Sequence, residues 1–193
     1  MKKMIPLWLA VFSIALFLMM IGRHEWHLAH SDSIYVKLKP VDPRSILQGD
    51  YMALNYELYF TGLPPVLEIN ADHLPSDAAN EYFYNQSSVL IYVQLDAQRK
   101  VIQTRFDPQL LNDYPYSSAK LVLRNPRNTF AGLYPAASSF LFAEGLEPCY
   151  RNAQFAELKV RENGQPLLVN LVSENLKALN CEQQKDWWKG SQN

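Results

Sequence analysis

Two patterns of hydrophobic and polar positions organise this chain. The first is an uncharged apolar run from Met4 to Gly22, interrupted only by Pro6 and Ser13. At a rise of about 1.5 Å per residue, a helix of this length crosses a hydrocarbon core about 30 Å thick. Lys2 and Lys3 precede the run, and the charges that follow it nearly cancel. The positive-inside tendency therefore predicts a cytoplasmic N-terminus and an outward location for the rest of the chain.

The run favours an anchor over a cleaved signal peptide. It is longer than the apolar core of a typical signal peptide, and no A-x-A-like cleavage site follows it. We therefore predict three parts: residues 1–30 as a transmembrane anchor with its juxtamembrane segment, 31–180 as an extracytoplasmic domain, and 181–193 as a flexible tail.

The second pattern is an alternation with a period of two residues from Asp50 to Phe60. This is the period of a half-buried strand. The chemistry of a turn precedes it: Asp42 suits a helix N-cap, Pro43 suits the first helical position, and Gly49 permits a left-handed exit. The apolar side of the predicted strand consists of Met52, Leu54, Tyr56, Leu58 and Phe60.

The remaining chain reads as short strands separated by turn residues. Asp96–Arg99 and Asn163-Gly164 are predicted hairpin turns, and residues 147–154 and 175–181 are predicted to be helical. About seven strands predict a mainly β domain with minor α content after one N-terminal transmembrane helix, built as an antiparallel sheet or a partly open β-barrel. Besides 50–60, the predicted extended segments are 34–39, 89–95, 100–106, 119–124, 138–142, 155–161 and 166–173.

Charge and cysteine content narrow the function classes. The formal net charge of −1 argues against a large basic surface for nucleic acid. Cys149 and Cys181 are the only cysteines. In an oxidising compartment they could form a disulfide, but spacing alone does not decide between a pair and two separate thiols.

The residues around the alternating strand carry a family resemblance. Gly49, Asp50, Tyr51, Leu54 and Tyr56 fit the pattern G-D-Y-x-x-L-x-Y, and Val41-Asp42-Pro43-Arg44 precede them. With these residues the chain resembles the GDYXXLXY protein family. A second block is similar to the family's C-terminal half, and it consists of Ser139–Gly145, Tyr150, Ala153 and Ala156–Val160.

The resemblance covers most of residues 34–175 and implies a location more than an activity. It implies a bacterial inner-membrane protein with a periplasmic domain, of a kind often encoded beside multi-spanning membrane proteins. It carries no established activity, cofactor or ligand. The family-motif and structural residues that it assigns are Asp42, Pro43, Arg44, Gly49, Asp50, Tyr51, Leu54 and Tyr56.

A signal-peptidase-like hydrolase is the sharpest enzymatic hypothesis. The nucleophilic serine of those enzymes lies eight residues before the glycine of a similar strand–turn–strand, and Val41 occupies that position. Ser45 lies only four residues before Gly49, and nothing in the sequence pairs it with a base. Because shared backbone geometry does not carry a site, we predict no catalytic residue.

Three further groups have both a functional and a structural interpretation. Arg44 and Asp50 could recognise a polar ligand or simply fix the turn, and the turn is favoured. His24, His27 and His30 could bind a metal, but one helical face rarely closes such a site, so no metal or cofactor is predicted. Among the many tyrosines, the loop Tyr114-Pro115-Tyr116 is the best binding candidate, because strand tyrosines are usually packing residues.

The expected function is therefore that of a non-enzymatic accessory or interaction module in the bacterial envelope. The expected partners are the membrane and a multi-spanning membrane protein, with no nucleic acid. Two alternatives stay open at this point: an envelope ligand-binding module whose ligand is unknown, and a degenerate signal-peptidase-like hydrolase.

Overall fold

The computed structural model describes residues 5–39, 51–62, 81–143 and 146–183. The chain divides into two compact units, Met1–Asp32 and Ser33–Asn193. The predicted turn before the alternating strand, including Asp42, Pro43, Arg44, Gly49 and Asp50, lies outside the described residues.

The apolar N-terminal run forms one long helix, α1 (Ile5–His30). Pro6 lies in its first turn, where the missing N–H has no intrahelical partner to lose. Six consecutive large apolar side chains, from Leu16 to Ile21, are each 45–75% exposed. Because successive helical residues are rotated by about 100°, these six side chains point outward on every side of the helix.

The helix is found where the sequence predicts it, but its membrane-spanning character is not confirmed. Within the described part of the chain, no helix reaches the combined length and apolarity needed to cross a membrane.

The second unit is mainly β with little helix, as predicted. Two short α-helices, α2 (Gln109–Asp113) and α3 (Glu147–Tyr150), and two 3-10 turns, Phe130–Gly132 and Cys181–Gln183, connect its strands. The described residues contain eight strands: β1 (Asp32–Lys37), β2 (Tyr51–Ala53), β3 (Ser88–Leu95), β4 (Val101–Arg105), β5 (Ser118–Arg124), β6 (Ser139–Leu141), β7 (Phe155–Val160) and β8 (Pro166–Val172).

These strands form three open sheets. One has the order β1-β7-β8, a second has the order β4-β3-β5, and β2 pairs with β6 alone. The pairings β2–β6, β3–β4, β3–β5 and β7–β8 are antiparallel. The described strands form open antiparallel sheets and do not close into a barrel, which confirms the predicted antiparallel sheet.

Both predicted hairpin turns form through local chemistry. In the β3–β4 turn, the Oδ1 atom of Asp96 accepts hydrogen bonds from the backbone N–H groups of Gln98 and Lys100, both at 2.8 Å. In the β7–β8 turn, Gly164 has a φ of +85°. A Cβ atom at Gly164 would also lie 3.1 Å from the Cβ of Lys120, so both conformation and space favour glycine.

The predicted helix at 175–181 is wrong. That segment turns back on β8, and Ala178 forms an antiparallel bridge with Val172. Leu176 and Asn180 have φ values of 57° and 51°. Such left-handed residues interrupt a right-handed helix, which explains the outcome.

The three sheets share one hydrophobic core. Phe83 is fully buried and packs beside Phe106 and Phe130, with ring centroids 5.8 and 5.7 Å from its own. The strands supply alternating apolar residues, as their period of two predicts. Fully buried members on the strands are Ile34, Val36, Ile91, Val93, Leu121, Leu123, Ala156, Leu158 and Leu171.

Candidate functional site

Residues 51–62 are named the motif strand below, because they begin with Tyr51 of the family motif and include its Leu54 and Tyr56. The predicted alternation is found in its burial. Leu54 is 6% exposed and belongs to the core, whereas Asn55 is exposed. The other members of the apolar side pack against the core: Met52, Tyr56, Leu58 and Phe60.

The motif strand is not one continuous strand, which corrects the prediction for 50–60. Regular pairing ends at Ala53, after which Tyr56 and Phe60 each form an isolated bridge. Tyr56 pairs with Leu38, which follows β1, and Phe60 pairs with Thr104, which lies in β4. Along the motif strand the hydrogen-bond partner changes twice.

These partner changes connect all three sheets. The Leu54 N–H donates to the Ser138 carbonyl at 2.9 Å, beside β6. The Glu57 N–H donates to the Lys37 carbonyl of β1 at 2.8 Å. The Thr104 N–H of β4 donates to the Tyr59 carbonyl at 2.8 Å. Between Leu54 and Tyr59 the motif strand therefore joins β6, β1 and β4, which is a structural role.

The last tyrosine of the motif has a defined partner. The Tyr56 hydroxyl donates to the Ala137 carbonyl at 2.7 Å, across 81 residues of sequence. Burial raises the pKa of Tyr56, because the ionised form would lose its hydration. By contrast, Tyr51 is 41% exposed at the start of β2. Leu54 and Tyr56 thus stabilise the fold, whereas Tyr51 lies at its surface.

Replacing Tyr56 by Phe should lower the free energy of unfolding by about 1 kcal/mol, because the Ala137 carbonyl loses its donor in a partly buried place. Urea unfolding of the full-length protein in detergent measures this change. Tyr51→Phe is the matched control and should change the free energy by less than about 0.5 kcal/mol. Equal effects of the two substitutions would contradict the assigned hydrogen bond.

A charged pair lies beside the motif strand. The Nζ atom of Lys37 is 3.2 Å from the Oε2 atom of Glu57. Hydrogen bonds from Tyr59 and Lys37 lower the pKa of Glu57, and its carboxylate raises the pKa of Lys37. Because the pair is open to solvent, it contributes more to the register between β1 and the motif strand than to stability.

The two cysteines, which the sequence left open, form a disulfide. Their Cα atoms are 5.8 Å apart across 32 residues of sequence. The bond ties the 3-10 turn Cys181–Gln183 to α3, and residues 184–193 lie outside the described residues. The disulfide therefore holds the last described turn of the chain against the β domain.

Neighbours of the two cysteines add a second link. The Tyr150 hydroxyl donates to the Oε1 atom of Glu182. The Tyr150 ring is 3% exposed and lies 5.2 and 5.1 Å from the ring centroids of Phe140 and Phe142. Burial and the Glu182 carboxylate raise the pKa of Tyr150. The sequence did not predict this contact, although a Cys149–Cys181 pair brings the next residues, Tyr150 and Glu182, close together.

The raised pKa values predict a loss of stability in alkali. Unfolded tyrosine ionises near pH 10.0, whereas folded Tyr56 and Tyr150 retain their protons there. Above that pH the unfolded state releases protons first, so each tyrosine should lower the stability by up to about 1.4 kcal/mol per pH unit. Below that pH, both tyrosines are protonated in the folded and the unfolded state, and their contribution to stability is fully present.

Urea midpoints measured from pH 7 to 11 test this expectation. Tyr150→Phe and Tyr56→Phe should each flatten the decline above pH 10 relative to wild type. Between pH 7 and 9 the profiles of the variants should run parallel to wild type. A variant with an unchanged alkaline slope would contradict the role assigned to that tyrosine.

The sequence-predicted chemical groups are not brought together into one site among the described residues. Ser45, Arg44 and Asp50 lie outside these residues. His24, His27 and His30 belong to α1, and the described residues contain no group of three potential metal ligands. The structure thus adds no observation for a hydrolase or a metal centre.

The predicted binding loop is well placed for contact. Tyr116 is 99% exposed and Tyr114 is 38% exposed. The Ser118 hydroxyl donates to the Tyr114 carbonyl at 2.6 Å, so the loop is held in a defined turn. This turn, the Tyr114–Ser117 turn, presents the most exposed large apolar side chain among the described residues.

Comparisons with known proteins give one match. No curated protein and no solved structure matches the chain. The pattern of the GDYXXLXY protein family matches residues 13–171, which is most of the chain and includes the motif strand, β1 and β3–β7. On this match, the chain belongs to the GDYXXLXY protein family.

Proposed function

We propose that this protein is a single-pass membrane protein whose β domain lies outside the cytoplasm and acts as a non-enzymatic interaction module. The observation that carries the proposal is the surface of α1, where consecutive side chains from Leu16 to Ile21 are apolar and exposed on every side. A helix that is apolar all round requires an apolar environment, either protein or lipid. An uncharged run as long as Met4–Gly22 favours lipid.

Two further observations support an envelope location. Lys2 and Lys3 precede the apolar run, which favours an N-terminus in the cytoplasm. The Cys149–Cys181 disulfide is typical of proteins that fold in an oxidising compartment, such as the bacterial periplasm. Together they support a β domain on the periplasmic side of the inner membrane.

The interaction role is supported by what the described polar groups do. Tyr56 and Tyr150 use their hydroxyls for internal hydrogen bonds, and the two cysteines cross-link the chain. These groups therefore stabilise the β domain itself. We propose that such a domain docks on the outer surface of a multi-spanning membrane protein, and that the β domain carries the recognition.

Crosslinking in native membranes tests the proposal. Tagged full-length protein is crosslinked, solubilised in mild detergent and purified, and the copurifying proteins are identified. The expected result is one stoichiometric multi-spanning protein. A matched variant has residues 4–22 replaced by an unrelated apolar helix of equal length, and it should retain the same partner.

Two outcomes contradict parts of the proposal. If no multi-spanning protein copurifies while crosslinking controls succeed, the accessory role is wrong. If the partner is lost on exchange of the helix, recognition resides in the helix and not in the β domain. Protease accessibility of a C-terminal tag in spheroplasts tests the orientation, and protection of that tag in intact spheroplasts would overturn it.

A further inference from the structure

We infer that the β domain recognises its partner with the outer face of the sheet β4-β3-β5, and that the partner presents an extended acidic segment to this face. The β3–β5 face consists of Leu90 and Tyr92 of β3 and Lys120, Val122 and Arg124 of β5. The inference rests on the proposed function and names the surface and the kind of partner segment that this function requires. It is carried by the charge, exposure and hydrogen bonding of the face.

The side chains of the β3–β5 face point away from the core. The register pairs Leu90 with Val122 and Tyr92 with Lys120. The residues that alternate with them along the two strands are buried: Val89, Ile91, Val93, Leu121 and Leu123. On the face itself Leu90 is 42% exposed, Lys120 and Arg124 are exposed, and Tyr92 and Val122 are half-buried. The face is therefore accessible to a partner.

The charge of this surface has one sign. The charged side chains at the outward positions of β3, β4 and β5 are all cations: Arg105, Lys120 and Arg124. The whole chain has 18 Lys and Arg against 19 Asp and Glu, so this is a local excess. The Nη1 atom of Arg105 lies 3.7 Å from the Oδ2 atom of Asp113. Within the described ranges, Lys120 and Arg124 have no such ion pair and no side-chain hydrogen bond.

Hydrogen bonding divides the outer face of the sheet into two parts. With its amide oriented to satisfy both polar atoms, Gln103 donates to the Oε1 atom of Gln94 at 2.8 Å and accepts from the Nε atom of Arg105 at 3.0 Å. That part of the sheet uses its polar groups internally. The Tyr92 hydroxyl, by contrast, has no hydrogen-bond partner among the residues that the structure describes. The polar groups of the β3–β5 face are therefore available to a partner.

The spacing of the two unpaired cations defines the partner segment. Exposed lysine and arginine side chains bind carboxylates, and arginine can do so with two parallel hydrogen bonds. Lys120 and Arg124 are four residues apart on one strand, which corresponds to about 13 Å. Two carboxylates four residues apart in an extended segment have the same spacing, whereas on a helix they lie about 6 Å apart. An apolar residue midway between the carboxylates would contact Val122.

The edge of β5 is already occupied, so the segment lies on the face and does not extend the sheet. The Val122 N–H donates to the Gly164 carbonyl of the β7–β8 turn at 2.8 Å, and the Arg124 N–H donates to the Tyr134 carbonyl at 2.8 Å. A Cβ atom at Gly164 would lie 3.3 Å from the Cδ1 atom of Leu90. The β7–β8 turn thus borders the face and gives the segment a side to lie against.

Site-specific photo-crosslinking tests the location. Full-length protein with p-benzoylphenylalanine in place of Leu90 is irradiated in native membranes, and the crosslinked multi-spanning protein is quantified. The same residue in place of Leu141 of β6 is the control, because Leu141 is 76% exposed and accessibility alone would favour it. The yield should be several-fold higher from position 90. Equal yields, or a higher yield from position 141, would overturn the inference.

Charge reversal tests the acidic segment. Lys120→Glu and Arg124→Glu should each lower the yield of partner copurified in mild detergent by about ten-fold, because carboxylates would then face carboxylates. Lys177→Glu changes the charge by the same amount at an exposed site after β8 and should leave the yield unchanged. Lys120→Arg keeps the charge and should retain the partner. If both reversals at positions 120 and 124 left the yield unchanged, the inference would be wrong.

The outcomes separate this inference from the proposed function. If wild type copurifies with no multi-spanning protein, both fail. If wild type retains such a partner and the substitutions at positions 90, 120 and 124 behave like their controls, the accessory role stands and the inference about the β3–β5 face fails alone. Near-ultraviolet circular dichroism of every variant should match wild type, which shows that a lost partner does not reflect a lost fold.

Discussion

Removing the Cys149–Cys181 disulfide is expected to lower the free energy of unfolding of the β domain by about 3–4 kcal/mol. The bond closes a loop with a sequence separation of 32, and loop-closure entropy for that length gives this range. The loss is a large fraction of the stability of an ordinary domain. It should also release the Tyr150–Glu182 hydrogen bond, since the disulfide holds both residues in place.

Urea unfolding of the full-length Cys149→Ser/Cys181→Ser double variant in detergent measures this loss. Wild type in excess reductant should unfold at the same urea concentration as the double variant. The double variant itself should not respond to reductant, which controls for other effects of the reagent. If oxidised wild type and the double variant unfolded together, the cross-link would contribute nothing and the expectation would be wrong.

Leu54→Ala is expected to lower the free energy of unfolding by about 2–5 kcal/mol. Leu54 is 6% exposed, and it lies where the motif strand leaves β6 and approaches β1. Its N–H bonds to the Ser138 carbonyl, and the next carbonyl, of Asn55, accepts from the Lys39 N–H at 2.7 Å. A cavity at this junction would loosen the packing between two sheets at once, which places the cost toward the upper half of the range.

Two variants separate cavity formation from other effects at this position. Asn55→Ala changes the neighbouring exposed residue and should alter the free energy by less than about 0.5 kcal/mol. Leu54→Met keeps the volume and should cost less than about 1.5 kcal/mol. If Leu54→Ala were no more disruptive than Asn55→Ala, packing of Leu54 at this junction would contribute nothing and the expectation would be wrong.

The motif strand also shows how far a local pattern can be followed. Its period of two correctly predicts which side chains face the core, since alternation is a property of extended backbone alone. It does not predict where regular pairing stops, because each partner comes from a distant segment: β6, the end of β1, or β4. The predicted single strand of 50–60 therefore becomes β2 followed by two isolated bridges.

The sequence by itself determined the elements whose chemistry is local. These are the helical apolar run of α1, the alternating strands, and the hairpin turns at Asp96–Arg99 and Asn163-Gly164, where side-chain capping and a left-handed glycine act within a few residues. The sequence also carries the family motif, and the pattern of the whole family matches residues 13–171.

Only the tertiary structure decided the features that join distant parts of the chain. It paired Cys149 with Cys181, directed the Tyr56 hydroxyl to Ala137, and turned residues 175–181 back on β8 where a helix was predicted. Each of these outcomes depends on which surfaces the folded core brings together. Local propensity cannot specify them, because the energy of a contact depends on a partner that lies far away in the sequence.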